Sequence, residues 1–153
     1  MEEARVRNYA LRLLKYRPRT KKEILDRLKK KNFPSELIEK TVQNLTEAGL
    51  INDREFVKFW INWRKEVNPR GKNFIFWELQ QKGISQDLIE EGLETITSED
   101  DFLRAEELAR KKYESLKRFL PLKAKRRLYA YLERRGFSRD IIFAVIEKIF
   151  SSQ

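Results

Sequence analysis

One pattern, written three times, restricts this chain more than any other feature. Leu37, Ile38, Val42 and Leu45 are followed at the same internal spacing by Leu88, Ile89, Leu93 and Ile96, and again by Ile141, Ile142, Ile146 and Ile149. Apolar residues at i, i+1, i+5 and i+8 lie on one stripe of an α-helix, whereas a strand would turn i and i+1 to opposite faces. Offsets of 51 and 53 residues relate the three copies. Self-similarity at a fixed period marks a repeat architecture, in which each unit is one supersecondary element that buries its apolar face with its neighbours.

The same offsets carry a turn before each of these helices: Lys31-Asn32-Phe33, Lys82-Gly83-Ile84 and Arg135-Gly136-Phe137. Gly83 and Gly136 can take the left-handed conformation that ends a helix, and Asn32 is the best substitute for glycine there. Ser85 and Ser138 are placed as N-caps for the helices that follow, while the first unit has Pro34 and then Ser35. Ahead of each turn lies a middle helix with matched apolar positions, Leu28 with Leu79 and Leu132, and Leu25 with Phe76 and Tyr129. Thr20 and Glu23 form a capping box at the start of the first of these, and Pro69-Arg70-Gly71 and Pro121 mark the entry to the others. The opening helices of the units are expected over residues 4–16, 53–66 and 99–117, with Asp53 as an N-cap and Ser98 starting the third unit. The expectation is an all-α fold of nine helices in three tandem three-helix repeats, 1–50, 51–97 and 98–153, stacked into an elongated, curved rod.

Composition fits that reading. With 41% hydrophobic and 38% charged residues among 153, the chain suits several small cores better than one large one. The sequence has neither a long apolar run nor a signal-like start, so a cytoplasmic protein without a membrane span is expected. Cysteine and histidine are both absent, which removes thiolate chemistry, disulfides, the usual zinc ligands and the commonest general base. The 5 glycines are scattered and form no phosphate-binding loop. Adjacent acids such as Glu90-Glu91 and Asp100-Asp101 point to different sides of a helix and make poor acid/base couples. No catalytic residue, cofactor or metal is therefore expected.

The net charge of +10 points to a polyanion or an acidic protein surface. It is unevenly spread. Residues 5–31 hold 12 basic and 2 acidic side chains, residues 36–101 hold 8 and 14, and residues 104–139 hold 13 and 4. Two basic ends thus flank an acidic middle. The candidate partner-binding residues are Lys21, Lys22, Lys29, Lys30 and Lys31 in the first repeat and Arg110, Lys111, Lys112, Lys123, Lys125, Arg126, Arg127, Arg134 and Arg135 in the third. A lysine-rich helix face can serve solubility alone, but such faces usually mix both signs. Trp60, Trp63 and Trp77 could be stacking platforms for single-stranded bases, but with Phe56, Phe59, Phe74 and Phe76 beside them at helical spacing they are expected in the core, while Tyr113, Phe119, Tyr129 or Tyr131 could offer a stacking face. A helix-turn-helix reading fails on charge. Glu36, Glu39, Asp87, Glu90, Glu91 and Glu94 occupy the exposed faces of helices that would have to enter a groove between phosphates.

Ala10-Leu11-Arg12-Leu13-Leu14 followed by Arg17 and Arg19-Thr20-Lys21-Lys22-Glu23 resembles the opening of the RecX family. So do Gly49-Leu50-Ile51-Asn52-Asp53-Arg54-Glu55-Phe56, Gly71 with Ile75, Glu78-Leu79, Lys82-Gly83-Ile84 and Arg135-Gly136-Phe137, in that order over nearly the full length. Val57 stands where the family usually has alanine and Thr20 where serine is common. The resemblance implies a non-catalytic cytoplasmic bacterial regulator, and a monomer is expected. Its partner would be the RecA recombinase and the RecA filament on single-stranded DNA, contacted along the filament groove, with restraint of strand exchange, ATP hydrolysis and coprotease activity. Charge alone also admits a nucleic-acid binder that contacts single strands weakly, or duplex, without a protein partner, and an α-solenoid adaptor for an acidic protein.

Overall fold

The computed structural model describes residues 1–151; residues 152 and 153, the end of the expected third repeat, lie outside the described part. The described residues form nine helices and no strand: α1 (Glu2–Tyr16), α2 (Lys21–Lys30), α3 (Ser35–Glu47), α4 (Asp53–Glu66), α5 (Lys72–Gln81), α6 (Gln86–Leu93), α7 (Ser98–Leu116), α8 (Pro121–Arg134) and α9 (Arg139–Ser151). They fall into three three-helix repeats, α1–α3, α4–α6 and α7–α9. The left-handed turns occur where the repeat places them, with φ of 63° at Asn32, 83° at Gly83 and 91° at Gly136.

The apolar stripes point inward. Ile38, Val42 and Leu45 of α3 and Ile142, Ile146 and Ile149 of α9 are buried, as are Leu28, Leu79 and Leu132 in the three middle helices. Removing each such side chain from water contributes about 1.5–3 kcal/mol before the entropy of ordering it is counted. The second repeat departs in one respect. Helix α6 ends at Leu93, so Ile96 is buried from the turn beyond it and not from the helix. Chain is needed there for Thr97, whose hydroxyl accepts from the Asp100 N–H at 3.0 Å and caps α7.

Two compact units emerge from the packing. One comprises Met1–Trp60 and Leu79–Gly92, the other Ile61–Glu78 and the chain from Leu93 onward. In the first, Val6, Ala10 and Leu13 of α1 meet Ile24 and Leu28 of α2 and the α3 stripe, with Ile51 closing the cluster. In the second, Ala105, Ala109 and Leu116 of α7 pack with Ala124, Leu128 and Leu132 of α8 and with the α9 stripe. The second unit also holds a buried ion pair, in which Arg64 donates through Nε to Glu78 at 2.9 Å and through Nη2 to the other carboxylate oxygen. Removing one partner of such a pair would strand the other charge away from water.

Helix starts explain the junctions between repeats. At the start of α2 the Thr20–Glu23 capping box is complete, with N–H to side-chain distances of 3.1 and 3.0 Å, and the Thr20 hydroxyl donates to the Lys82 carbonyl at 2.7 Å. The Lys21 N–H donates to Asp53 at 2.9 Å. Asp53 is thus engaged with α2, and the α4 cap is its neighbour Asn52, whose side chain accepts from the Glu55 N–H at 3.2 Å. At the start of α5 three successive N–H groups leave the helix. Gly71 donates to the Arg135 carbonyl at 2.8 Å, Lys72 to Asp101 at 3.1 Å and Asn73 to the Gly136 carbonyl at 3.0 Å. In both places the first helix of the next repeat accepts from an N–H at the start of a middle helix, and the left-handed turn after that repeat's own middle helix accepts a further bond, from the Thr20 hydroxyl in one place and from main-chain N–H groups in the other. Helix α8 begins earlier relative to the repeat and is 14 residues long where α2 and α5 are 10. Pro121 at its first position offers no N–H to satisfy.

Candidate functional site

The first basic group is displayed along α2. Lys21, Lys22, Lys29, Lys30 and Lys31 are all exposed. Lys29 and Lys30 fall in the last turn, where a cation also complements the negative end of the helix. Lys21 uses only its main chain at the junction, which leaves its ammonium outward. Lys22 is committed more deeply: its Nζ donates to the Gln81 carbonyl at 3.4 Å and its stem lies against the Gly83 turn, where an added Cβ would meet the Lys22 Cβ at 2.6 Å. Lys31 sits 5.3 Å from the centre of the Tyr9 ring, with the Arg12 guanidinium 5.8 Å from the same ring. Arg5, Asn8 and Phe33 join these three around a cavity of about 270 Å³. On another side, Lys21 and Lys29 share with Glu39 and Glu47 a groove of about 830 Å³ between α2 and α3, floored by Leu25, Ile38 and Val42.

The neighbouring carboxylate Glu23 organises this end of α2. Burial pushes its carboxyl up, but the Thr20 N–H, Lys82 and Arg17 outweigh that and hold it below the ordinary carboxylate value. Arg17 donates to it at 2.9 Å and Lys82 at 3.4 Å. These cations are thereby partly neutralised, unlike Lys29 and Lys30 further along.

The second group spreads over α7 and α8. Arg110 is paired with Glu106 at 2.8 Å and Lys111 with Glu107 at 3.6 Å, so this part of the expected site is a mixed-sign helix face. Glu106 also receives Lys148, and its hydrogen bonds with Arg110 and Lys148 hold its carboxyl low. Lys112 is half-buried over the Tyr131 ring at 5.3 Å, which Arg135 also approaches at 4.9 Å. The strongest concentration lies around Phe119, between α7 and α8. Arg118, Lys123 and Arg127 stand 4.8, 4.7 and 4.6 Å from its ring centre. Lys125 lies 5.2 Å from the Phe150 ring, and Arg126 and Arg134 are exposed. Leu120 and Leu122, 79% and 63% exposed, project beside this cluster. The arrangement is suited to anions and to faces that tolerate cation–π neighbours.

Sequence reasoning placed Trp77 in the core, and the structure corrects it: Trp77 is 53% exposed. Helix α5 carries Phe74, Ile75, Phe76, Trp77 and Leu79 on all sides, so they cannot all face one core. Ile75 and Leu79 take the buried side, and Trp77 lies opposite. Trp60 and Trp63 are half-buried, the first stacked on Phe56 with centroids 5.8 Å apart. Arg70 was also missed. Its guanidinium covers the Phe74 ring at 4.7 Å, and its Nε is buried without a hydrogen-bond partner. Arg70 stands apart from any run of cations, so charge patterning gave no signal for it.

No group of acids that could hold a metal occurs among the described residues, and no described helix is long and apolar enough to cross a membrane. Asp101 is the one buried carboxylate of the junctions; burial pushes its carboxyl up against the pull of the Lys72 N–H and Arg104.

Comparison with known proteins gives this arrangement its class. Domain models described as the first, second and third three-helix domains of RecX match residues 7–45, 52–93 and 99–146. A protein of Chlorobium phaeobacteroides (strain BS1) named "Regulatory protein RecX" is 38% identical over 143 residues, covering 94% of this chain and 92% of the relative. The chain belongs to the RecX family of regulatory proteins. A Bacillus subtilis (strain 168) protein of the same name is 34% identical over 142 residues, and the chain spans only 54% of that relative's length. Among solved structures, a RecX from Lactobacillus salivarius superposes with a TM-score of 0.88 at 25% identity, covering 96% of each chain.

Proposed function

We propose that this chain is a non-catalytic regulator that binds the RecA recombinase and its filament on single-stranded DNA along the filament groove, and restrains ATP hydrolysis, strand exchange and coprotease activity. The observation that carries the reading is family membership across all three repeats, with relatives named as regulatory proteins. The free cations support it. Lys29, Lys30, Arg126 and Arg134 are exposed, and the cations around Phe119 crowd one ring, as suits phosphates or acidic protein patches. We further propose that it acts as a cytoplasmic monomer and that 1–50, 51–97 and 98–153 are its binding modules. Three modest contacts on one chain raise avidity without any single strong interface.

The test is ATP hydrolysis by RecA filaments preformed on single-stranded DNA, with the chain added well below stoichiometry and its affinity for bare DNA measured in the same buffer. Inhibition at concentrations too low to occupy the DNA is expected. Inhibition only once the DNA is saturated would assign a general nucleic-acid binder, and no inhibition would leave the adaptor for an acidic protein. Replacing Lys123, Lys125, Arg126 and Arg127 by alanine is expected to weaken inhibition about tenfold or more, because each lost phosphate or carboxylate contact contributes on the order of 1 kcal/mol.

A further inference from the structure

Trp77, Phe74 and Arg70 lie together in the second compact unit, in the repeat whose sequence is acidic overall. The rings of Phe74 and Trp77 are 5.7 Å apart and tilted by 49°, and the Arg70 guanidinium lies over Phe74 at 4.7 Å. Arg64 also reaches the Phe74 ring, at 5.6 Å, while its own charge is matched by Glu78. Arg135 arrives from the turn after α8 and donates to the Asn68 side chain at 3.1 Å. The one acid of α5, Glu78, is buried against Arg64, so no carboxylate of that helix is displayed beside the ledge.

The other repeats lack this arrangement at equivalent positions. Trp77 corresponds to Asp26 and Ala130, and Phe74 to Glu23 and Arg127. Arg70 corresponds to Arg19, whose Nε donates to the Leu13 carbonyl at 3.4 Å, whereas the Arg70 Nε is buried with no partner. Glu78 is committed to Arg64, and Arg70 is left beside two further guanidiniums, those of Arg64 and Arg135. Burial, with Arg135 and Arg64 close by, holds the Arg70 pKa below its ordinary value. An unmatched cation stacked on a ring, beside a half-exposed indole, suits a ligand that alternates flat faces with anionic groups.

We infer that Trp77, Phe74, Arg70 and Arg135 form a stacking site for single-stranded nucleic acid, in which a base lies on the Trp77 indole and a neighbouring phosphate takes the unmatched guanidinium charge of Arg70. This deepens the regulatory reading and rests on it for the choice of DNA as ligand. It divides the labour between regions. The basic ends attract phosphate backbones of any form, and the middle repeat prefers strands whose bases are unpaired, because a duplex hides its base faces. An acidic peptide would satisfy the arginines but leave the exposed indole without a role, so nucleic acid is the occupant favoured.

The experiment is fluorescence anisotropy of dye-labelled oligothymidylate and of a duplex of equal length, with the full chain and no recombinase present. Trp77→Ala is expected to weaken oligothymidylate binding about tenfold, the loss of one stacked base, to leave the duplex nearly unaffected, and to be largely rescued by Trp77→Phe. Arg70→Ala is expected to weaken single-strand binding more than Arg70→Lys. Thermal melting should not change for Trp77→Ala, since that side chain is half in water. Unchanged oligothymidylate affinity in both alanine variants would overturn the site, as would an equal loss on duplex or a wild-type chain that does not bind the oligonucleotide. A loss confined to polyglutamate as competitor ligand would overturn it in favour of an acidic protein. If wild type fails to inhibit filament ATP hydrolysis while Trp77-dependent strand binding persists, the filament reading falls and this site stands.

Discussion

The two junctions between repeats perform one task with different chemistry. Where the second repeat meets α2, the helix start is served by side chains: the Thr20–Glu23 box, the Thr20 hydroxyl on the Lys82 carbonyl, and Asp53 on the Lys21 N–H. Where the third repeat meets α5, it is served by main-chain contact at glycine. A Cβ at Gly71 would lie 2.5 Å from the Gly136 carbonyl oxygen, and one at Gly136 would fall within the van der Waals envelope of the Phe74 backbone. Only the acceptor at the helix's first N–H is shared, Asp53 in one place and Asp101 in the other. The difference teaches that repeat docking here requires satisfied helix-terminal donors and close backbone approach, and that either capping side chains or absent ones can supply them.

The sharpest way to break this comparison is to add one methyl group. Gly136→Ala places a Cβ against the backbone at φ 91° and is expected to cost about 3 kcal/mol or more. Gly49→Ala, at φ 77° with nothing within 4 Å, should cost only the left-handed penalty of about 1–2 kcal/mol. Urea denaturation of the two variants separates strain from contact; equal losses would mean that the second junction is not closely packed. A smaller effect is expected at the other junction. Thr20→Ala removes a cap and leaves the Lys82 carbonyl without its donor, for a loss of about 1–2 kcal/mol, and Thr20→Ser should recover most of it in the same denaturation assay.

The smallest effect is a difference in acid sensitivity. Glu23 titrates below its ordinary value when folded, so its stabilisation is present above the unfolded value and is lost as pH falls through the folded one. Asp101 is raised, so its ionised form costs stability at neutral pH and that cost is relieved as pH falls through the raised value. Acidification from neutrality to about pH 4 should therefore reduce hydrogen-exchange protection of the Lys21 N–H relative to that of Lys72. Parallel losses at both amides would show that the two carboxylates do not differ.

The repeat, its left-handed turns and its middle-helix cores were legible in sequence because each depends on local spacing or on one residue's conformational freedom. The bounds of the opening helices were legible to within a residue or two for the same reason, whereas α6 ends three residues short of Ile96, and the cap shifted from Asp53 to Asn52 only because a distant N–H claimed Asp53. Side-chain pairing was not legible. Arg110 and Lys111 read as a basic cluster, yet Glu106 and Glu107 stand one turn away on the same face. The exposure of Trp77 was not legible because α5 carries apolar side chains on every side, so periodicity cannot say which face the next repeat covers.

Lys21 and Lys72 make their junction bonds through the peptide N–H, an atom every residue but proline carries. What such a position presents to a ligand is thus uncoupled from what holds the repeats together. Substitution at either place by any residue but proline can therefore change charge or reach while the junction bond is kept.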